Sequence, residues 1–160
     1  MVSRQLVLAL VISSAAVILA LAVGPRVSPT AAAQSGPGLE GSWMSEVSSQ
    51  LAAGTRLTTY NADGTLITTA IAAGVIPTTG HGSWVRTGER EFATTWFGFS
   101  RDAEGNYTAM TKVRGRLQLN GGGDEISSRS QVEVMDRNGN VLRTDSPTGQ
   151  AKRIRVELPN

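Results

Sequence analysis

The chain has 160 residues, no cysteine, one histidine, and 15 Lys and Arg against 13 Asp and Glu. Arg4 and Arg26 fall within the first 33 residues, and taking those two from 15 leaves 13 basic against 13 acidic residues, so the remainder is formally neutral. That balance lacks the basic footprint of a nucleic-acid binder, and the lack of cysteine removes disulfides, thiol catalysis and cysteine-bound metals.

In chain order, the first segment reads as a signal. Arg4 precedes an apolar run from Leu6 to Val23, followed by Gly24-Pro25 and then Ala31-Ala32-Ala33. This order predicts a secretory signal peptide over 1–33, helical in its apolar part and cleaved after Ala33. The alternative is an uncleaved anchor, because the run of about 18 residues approaches the length of a membrane span. In either case the remaining chain is expected to be secreted, periplasmic or held at the cell envelope, with the signal segment as its one membrane contact. Residues 34–38 form a Ser/Gly/Pro linker, and 39–160 form one domain.

Within that domain the dominant signal is period two, broken by turn residues. Strand-like runs are Gly41-Ser42-Trp43, Arg56–Tyr60, Thr65–Ala72, Ser83–Arg86, Arg90–Phe99, Tyr107–Leu119 and Ile126–Val134, with a weaker run at Val141–Asp145. A last strand is predicted where Ile154, Val156 and Leu158 alternate with Arg153, Arg155 and Glu157. The clearest is Tyr107–Leu119, where Val113, Leu117 and Leu119 share one face and Lys112, Arg114 and Arg116 the other. Turn signals at Asn61–Gly64, Asp102–Asn106, Asn120–Asp124 and Asp136–Asn140 make neighbouring strands antiparallel. Ala72–Gly80 is the longest connection without a clear pattern. The whole predicts an all-β fold, a single antiparallel eight-stranded up-and-down barrel.

Small barrels are filled by side chains or hold one small ligand. The inferred inner face carries small residues, Ala109, Thr111, Gly115, Ser128 and Ser130, which leave space unless Phe92 or Trp96 fills it from across the barrel. The expected cavity lining is Tyr60, His81, Trp84, Phe92, Trp96, Tyr107, Thr111, Ser128 and Ser130. With Phe92 and Trp96 inside, Phe97 and Phe99 face outward, and such a patch suggests a partner surface or a homodimer.

Catalytic and metal chemistry find little support. His81 has no legible carboxylate or nucleophile partner, and Gly-His-Gly-Ser-Trp is no nucleophile elbow. Asp136, Asn138 and Asn140 imitate the start of a calcium loop, but Gly139 takes the fourth place and Pro147 the twelfth. Neither a catalytic residue, a metal nor a cofactor is expected.

Gly41-Ser42-Trp43 resembles the Gly-x-Trp signature of lipocalins and their calycin relatives. The chain also resembles bacterial secreted proteins with a Gly-x-Trp start, a Gly-His-Gly-x-Trp hairpin and an Asp-x-x-Gly-Asn turn. The resemblance implies that Trp43 closes one barrel end and that an arginine of the last strand, Arg153 or Arg155, lies across it. The family's Thr-Asp-Tyr segment, disulfide and C-terminal helix are missing. An allene oxide cyclase-like barrel is the second resemblance. Three functions follow as expectations: a barrel binding a small hydrophobic molecule, a cyclase- or isomerase-type enzyme, and a non-enzymatic interaction module of the envelope.

Overall fold

The computed structural model describes residues 38–48, 54–72, 76–77 and 79–159. The predicted signal, its helix and the linker up to residue 37 lie outside the described residues. The strands are β1 (Gly41–Ser48), β2 (Gly54–Tyr60), β3 (Thr65–Ala72), β4 (Ile76–Pro77), β5 (Gly80–Arg86), β6 (Glu91–Arg101), β7 (Tyr107–Leu119), β8 (Glu125–Met135), β9 (Val141–Asp145) and β10 (Thr148–Arg153). There is no helix among the described residues.

Every strand pairing is antiparallel. Neighbours run β10-β1-β2-β3-β5-β6-β7-β8, and β8 pairs back onto β10, which closes an eight-stranded barrel. At the seam Ile126 faces Ala151, and Ala151 faces Ser45. β9 extends the sheet beyond the barrel on the C-terminal half of β8, and β4 adds to the end of β6. The unassigned stretch between Ala72 and Gly80 therefore contains β4.

Period two decides which side chains go in. On β7, Val113, Leu117 and Leu119 are buried while Arg114, Arg116 and Gln118 are exposed, because successive side chains of a strand point to opposite faces. Leu39, Trp43, Tyr60, Leu66, Trp84, Phe92, Leu117, Leu119 and Ile126 form one core cluster. Trp84 and Phe92 meet edge-on with ring centroids 5.7 Å apart, and Tyr60 meets Trp84 at 6.3 Å.

Three of the hairpins use one device. In the turns starting at Asn61, Asp102 and Asp136, the amide of that first residue donates to the carbonyl four positions on, and a glycine amide donates back to the first residue's carbonyl. Those glycines, Gly64, Gly105 and Gly139, have φ of 84°, 85° and 85°, as a type I turn with a glycine bulge requires. The turn at Asn120 closes one residue wider. Turn aspartates accept hydrogen bonds that stabilise their ionised form. The Asn140 side-chain amide and backbone amides hold Asp136 below the usual carboxylate range. The Thr65 hydroxyl does so for Asp63, and the Asn106 amide for Asp102. A depressed folded-state pKa contributes stability above the unfolded value, about 3.9, and that contribution is lost as pH falls through the folded value. The melting temperature is expected to stay level from neutrality to about pH 5 and then fall below about pH 4. Circular dichroism melts across that range check this, and a level profile down to pH 2 would contradict it.

The last strand differs from the sequence expectation. It is Thr148–Arg153, and residues 154–159 form no strand, with Val156 93% exposed. The reason is the narrow seam between β1 and β8. The inward residues of β10 are Gly149 and Ala151, and a Cβ on Gly149 would lie 2.9 Å from the Ser128 hydroxyl. Small side chains are required there, so the true strand has a weak hydrophobic pattern and the exposed tail a strong one.

Candidate functional site

One end of the barrel is shut by a layered plug. Leu39 lies under it, fully buried, and its carbonyl accepts a hydrogen bond from Trp43 Nε1 at 2.9 Å. The Arg153 guanidinium sits 4.3 Å from the Trp43 ring centre. Its nitrogens donate to the carbonyls of Gly38 (2.7 Å), Glu40 and Gly123 (2.8 Å). One arginine thus ties the entering chain, the last strand and the β7–β8 turn together. Arg155 instead pairs with Asp124 at 3.3 Å, out in solvent.

Above this plug lies an interior cavity of about 40 Å³. Its walls are Trp43, Ser45 and Val47 of β1, Arg56, Thr58 and Tyr60 of β2, Thr94 and Trp96 of β6, Leu117 of β7, Ile126, Ser128 and Ser130 of β8, and Ala151 of β10. Aromatic surface and hydroxyls therefore face each other across a small space. Thr58 and Thr68 share a hydrogen bond of 2.9 Å, and the Ser128 hydroxyl donates to the Gly149 carbonyl at 3.3 Å. Such a volume holds a water or a compact head group; a drug-sized ligand needs several hundred Å³.

Arg56 is the unusual wall residue. Its guanidinium stacks over Trp96, 5.0 Å from the ring centre, and its enclosed Nε has no hydrogen-bond partner among the described residues. Burial pulls the guanidinium below its ordinary pKa, an effect the nearby Tyr60 opposes. An arginine nevertheless stays charged at neutral pH. Burial also pushes the Tyr60 phenol up to about 12, so it remains a neutral hydroxyl beside that cation.

Of the residues expected to line a cavity, Tyr60, Trp96, Ser128 and Ser130 do so. Trp84 and Phe92 belong to the packed core cluster and do not reach the space. Thr111 faces inward between Gly98 and Val134, also away from it. His81 is a correction. It lies exposed on the outer wall, with Ile67 and Phe97 as cross-strand neighbours. Three positions separate His81 from the buried Trp84, an odd number, so the two side chains cannot both point inward. Tyr107 is a second correction. A register shift at Ser100/Arg101 precedes it, and it packs edge-on against the outward Phe99 at 5.7 Å, under the Arg137 guanidinium. Phe97 and Phe99 are 41% and 49% exposed.

Sequence reasoning missed Arg56, Ser45, Thr58 and Thr94. A signal for Arg56 existed. It alternates with Thr58 and Tyr60, so the face that carries Tyr60 inward carries Arg56 with it.

A larger groove of about 800 Å³ crosses the outer wall over β6, β7, β8 and β10, lined by Glu91, Arg116, Gln118, Arg129 and Gln150 among others. Those side chains are exposed and of mixed sign. The Asp136 loop carries no open cation site, because its carboxylate accepts the Asn138 and Asn140 amides at 2.8 and 2.9 Å. Among the described residues, no three His, Asp or Glu side chains converge as metal ligands.

Neither a protein-family model nor a curated protein matches the chain. Among solved structures, the chain is similar to EF1p2_mFAP2b, solved bound to DFHBI, with a TM-score of 0.51 and 11% identity over 72% of this chain and 94% of that one. At that identity the likeness concerns the barrel fold alone.

Proposed function

We propose that the protein is a secreted or envelope-associated barrel of lipocalin-like type that binds a small, largely apolar molecule in its interior, without transforming it. The observation that supports this reading best is the interior cavity in a closed barrel, walled by Trp43, Tyr60 and Trp96 and opposed by hydroxyls. Apolar and aromatic walls with a few placed polar groups are the usual composition of small-molecule sites. The similar barrel EF1p2_mFAP2b, solved with DFHBI, is in keeping with a small-molecule partner. The cavity of about 40 Å³ takes only part of such a ligand. The rest requires the wall to open beyond that volume. An enzyme reading finds less support, since His81 stands on the outer wall.

The test uses the purified protein and the neutral fluorophore N-phenyl-1-naphthylamine. Saturable enhancement with one site per chain is expected, together with a small molecule co-released on denaturation and seen by native mass spectrometry. Linear, non-saturating fluorescence and a ligand-free mass spectrum would overturn the reading.

A further inference from the structure

We infer that Arg56 is the anchoring group for a carboxylate, so that the barrel's ligand is an organic monocarboxylate whose head sits in the interior cavity. The inference rests on the small-molecule reading above and narrows its ligand class. Three observations carry it. First, Arg56 Nε is enclosed and lacks a hydrogen-bond partner among the described residues. Buried polar groups are almost always paired, and one that is not points to a water, ion or ligand. Second, among the described residues no Asp or Glu lines the cavity. A partly buried cation with no counter-ion among the described residues is costly, so a fold that keeps one has a use for it. Third, the space beside it is about 40 Å³, the scale of a head group rather than of a whole ligand.

The chemistry selects a carboxylate. A guanidinium offers parallel N–H donors that match the two carboxylate oxygens, and charge-assisted pairs are about twice as strong as neutral ones. The stack on Trp96 fixes the plane of that fork. Thr94 and Ser130, also on the wall, offer hydroxyls for the remaining lone pairs. The aromatic walls then receive the carbon body. A neutral hydrophobe would leave the Nε orphaned, and a purely polar anion would waste the indole surfaces.

The experiment titrates purified protein with acetate, hexanoate and benzoate, with the neutral hexanamide and benzamide, and with inorganic phosphate. The readouts are tryptophan fluorescence and the ¹⁵N–¹H resonance of the Arg56 Nε. Hexanoate and benzoate are expected to bind and to shift that resonance. Each should bind about tenfold more tightly than its amide, the discrimination expected of a charge-assisted hydrogen bond. In Arg56→Met that preference should vanish while the melting temperature does not fall, because an unpaired, partly buried charge has been removed. Arg56→Lys, which keeps the charge and loses the fork, should bind weakly. Binding of phosphate without any carboxylate, or equal affinity for acid and amide, would overturn the inference. If N-phenyl-1-naphthylamine binds while every carboxylate leaves the Nε resonance unmoved, the anchoring role fails and the barrel remains a binder of neutral molecules. If neither binds, both readings fail.

Discussion

Replacing Trp43 by alanine is expected to destabilise the protein by about 3–5 kcal/mol, the range for truncating a buried aromatic. Melting would fall by roughly 10–20 °C for a domain of this size. The side chain is 1% exposed and sits between Leu39 and the Arg153 guanidinium. Three losses combine. The transfer free energy of an indole is lost, together with the packing of whatever void remains. The Leu39 carbonyl loses its donor. Arg153 loses the ring beneath it, although its bonds to three carbonyls remain. Trp43→Phe separates these terms, since it keeps a ring and removes only the indole N–H and some volume; a cost of about 1–2 kcal/mol is expected. Denaturant unfolding followed by far-ultraviolet circular dichroism measures both. An alanine variant within 1 kcal/mol of the parent would show that the plug does not hold the barrel end.

Much of the barrel was legible because period two is a local property. Val113, Leu117 and Leu119 had to share a face whatever the strand paired with, and the glycine-containing turns had to make hairpins. Trp43 and an arginine from the chain's end were joined by resemblance, and the geometry selects Arg153 through its position opposite Trp43 in the β1–β10 register. What escaped was set by neighbours distant in sequence. The β10 seam needs small residues, so the strand there looked weaker than the tail after it. Tyr107 was displaced by a register shift that no sequence signal announced. His81 is a different case, since its parity with Trp84 already excluded a shared face. Arg56 escaped because charge was read as a mark of the outer wall, although the same alternation that turns Tyr60 inward turns Arg56 inward too. The small residues of the inner face were read as empty space. Part of that space exists, about 40 Å³; beside Gly115 the Thr94 and Ser130 hydroxyls close in, and over Gly80 and Gly82 the space is taken by Trp96.

That last point gives the second large effect, at Gly82. This residue faces Trp96 directly across the β5–β6 pairing. A Cβ placed on it would lie 2.1 Å from the Thr95 carbonyl oxygen and 2.5 Å from Trp96 Cβ. Neither can move as a flexible side-chain tip moves, because both are held by the β6 backbone. Gly82→Ala is therefore expected to splay β5 from β6 and cost about 3 kcal/mol, the upper end for overpacking. Gly139→Ala is the control for backbone effects. It has φ of 85° and nothing within 4 Å of an added Cβ, so it should cost only the strain of a left-handed residue, about 1 kcal/mol. The two variants are compared by denaturant unfolding, with near-ultraviolet circular dichroism reporting the Trp96 environment. Equal costs, with the Trp96 signal unchanged, would mean that β5 does not press on β6 as the geometry requires. A large cost confined to Gly82, with a changed tryptophan signal, would place the tight contact between these strands at the wall that holds Arg56. In that case the stack of Arg56 on Trp96 is backed by rigid backbone, and the guanidinium fork keeps its plane as a ligand enters.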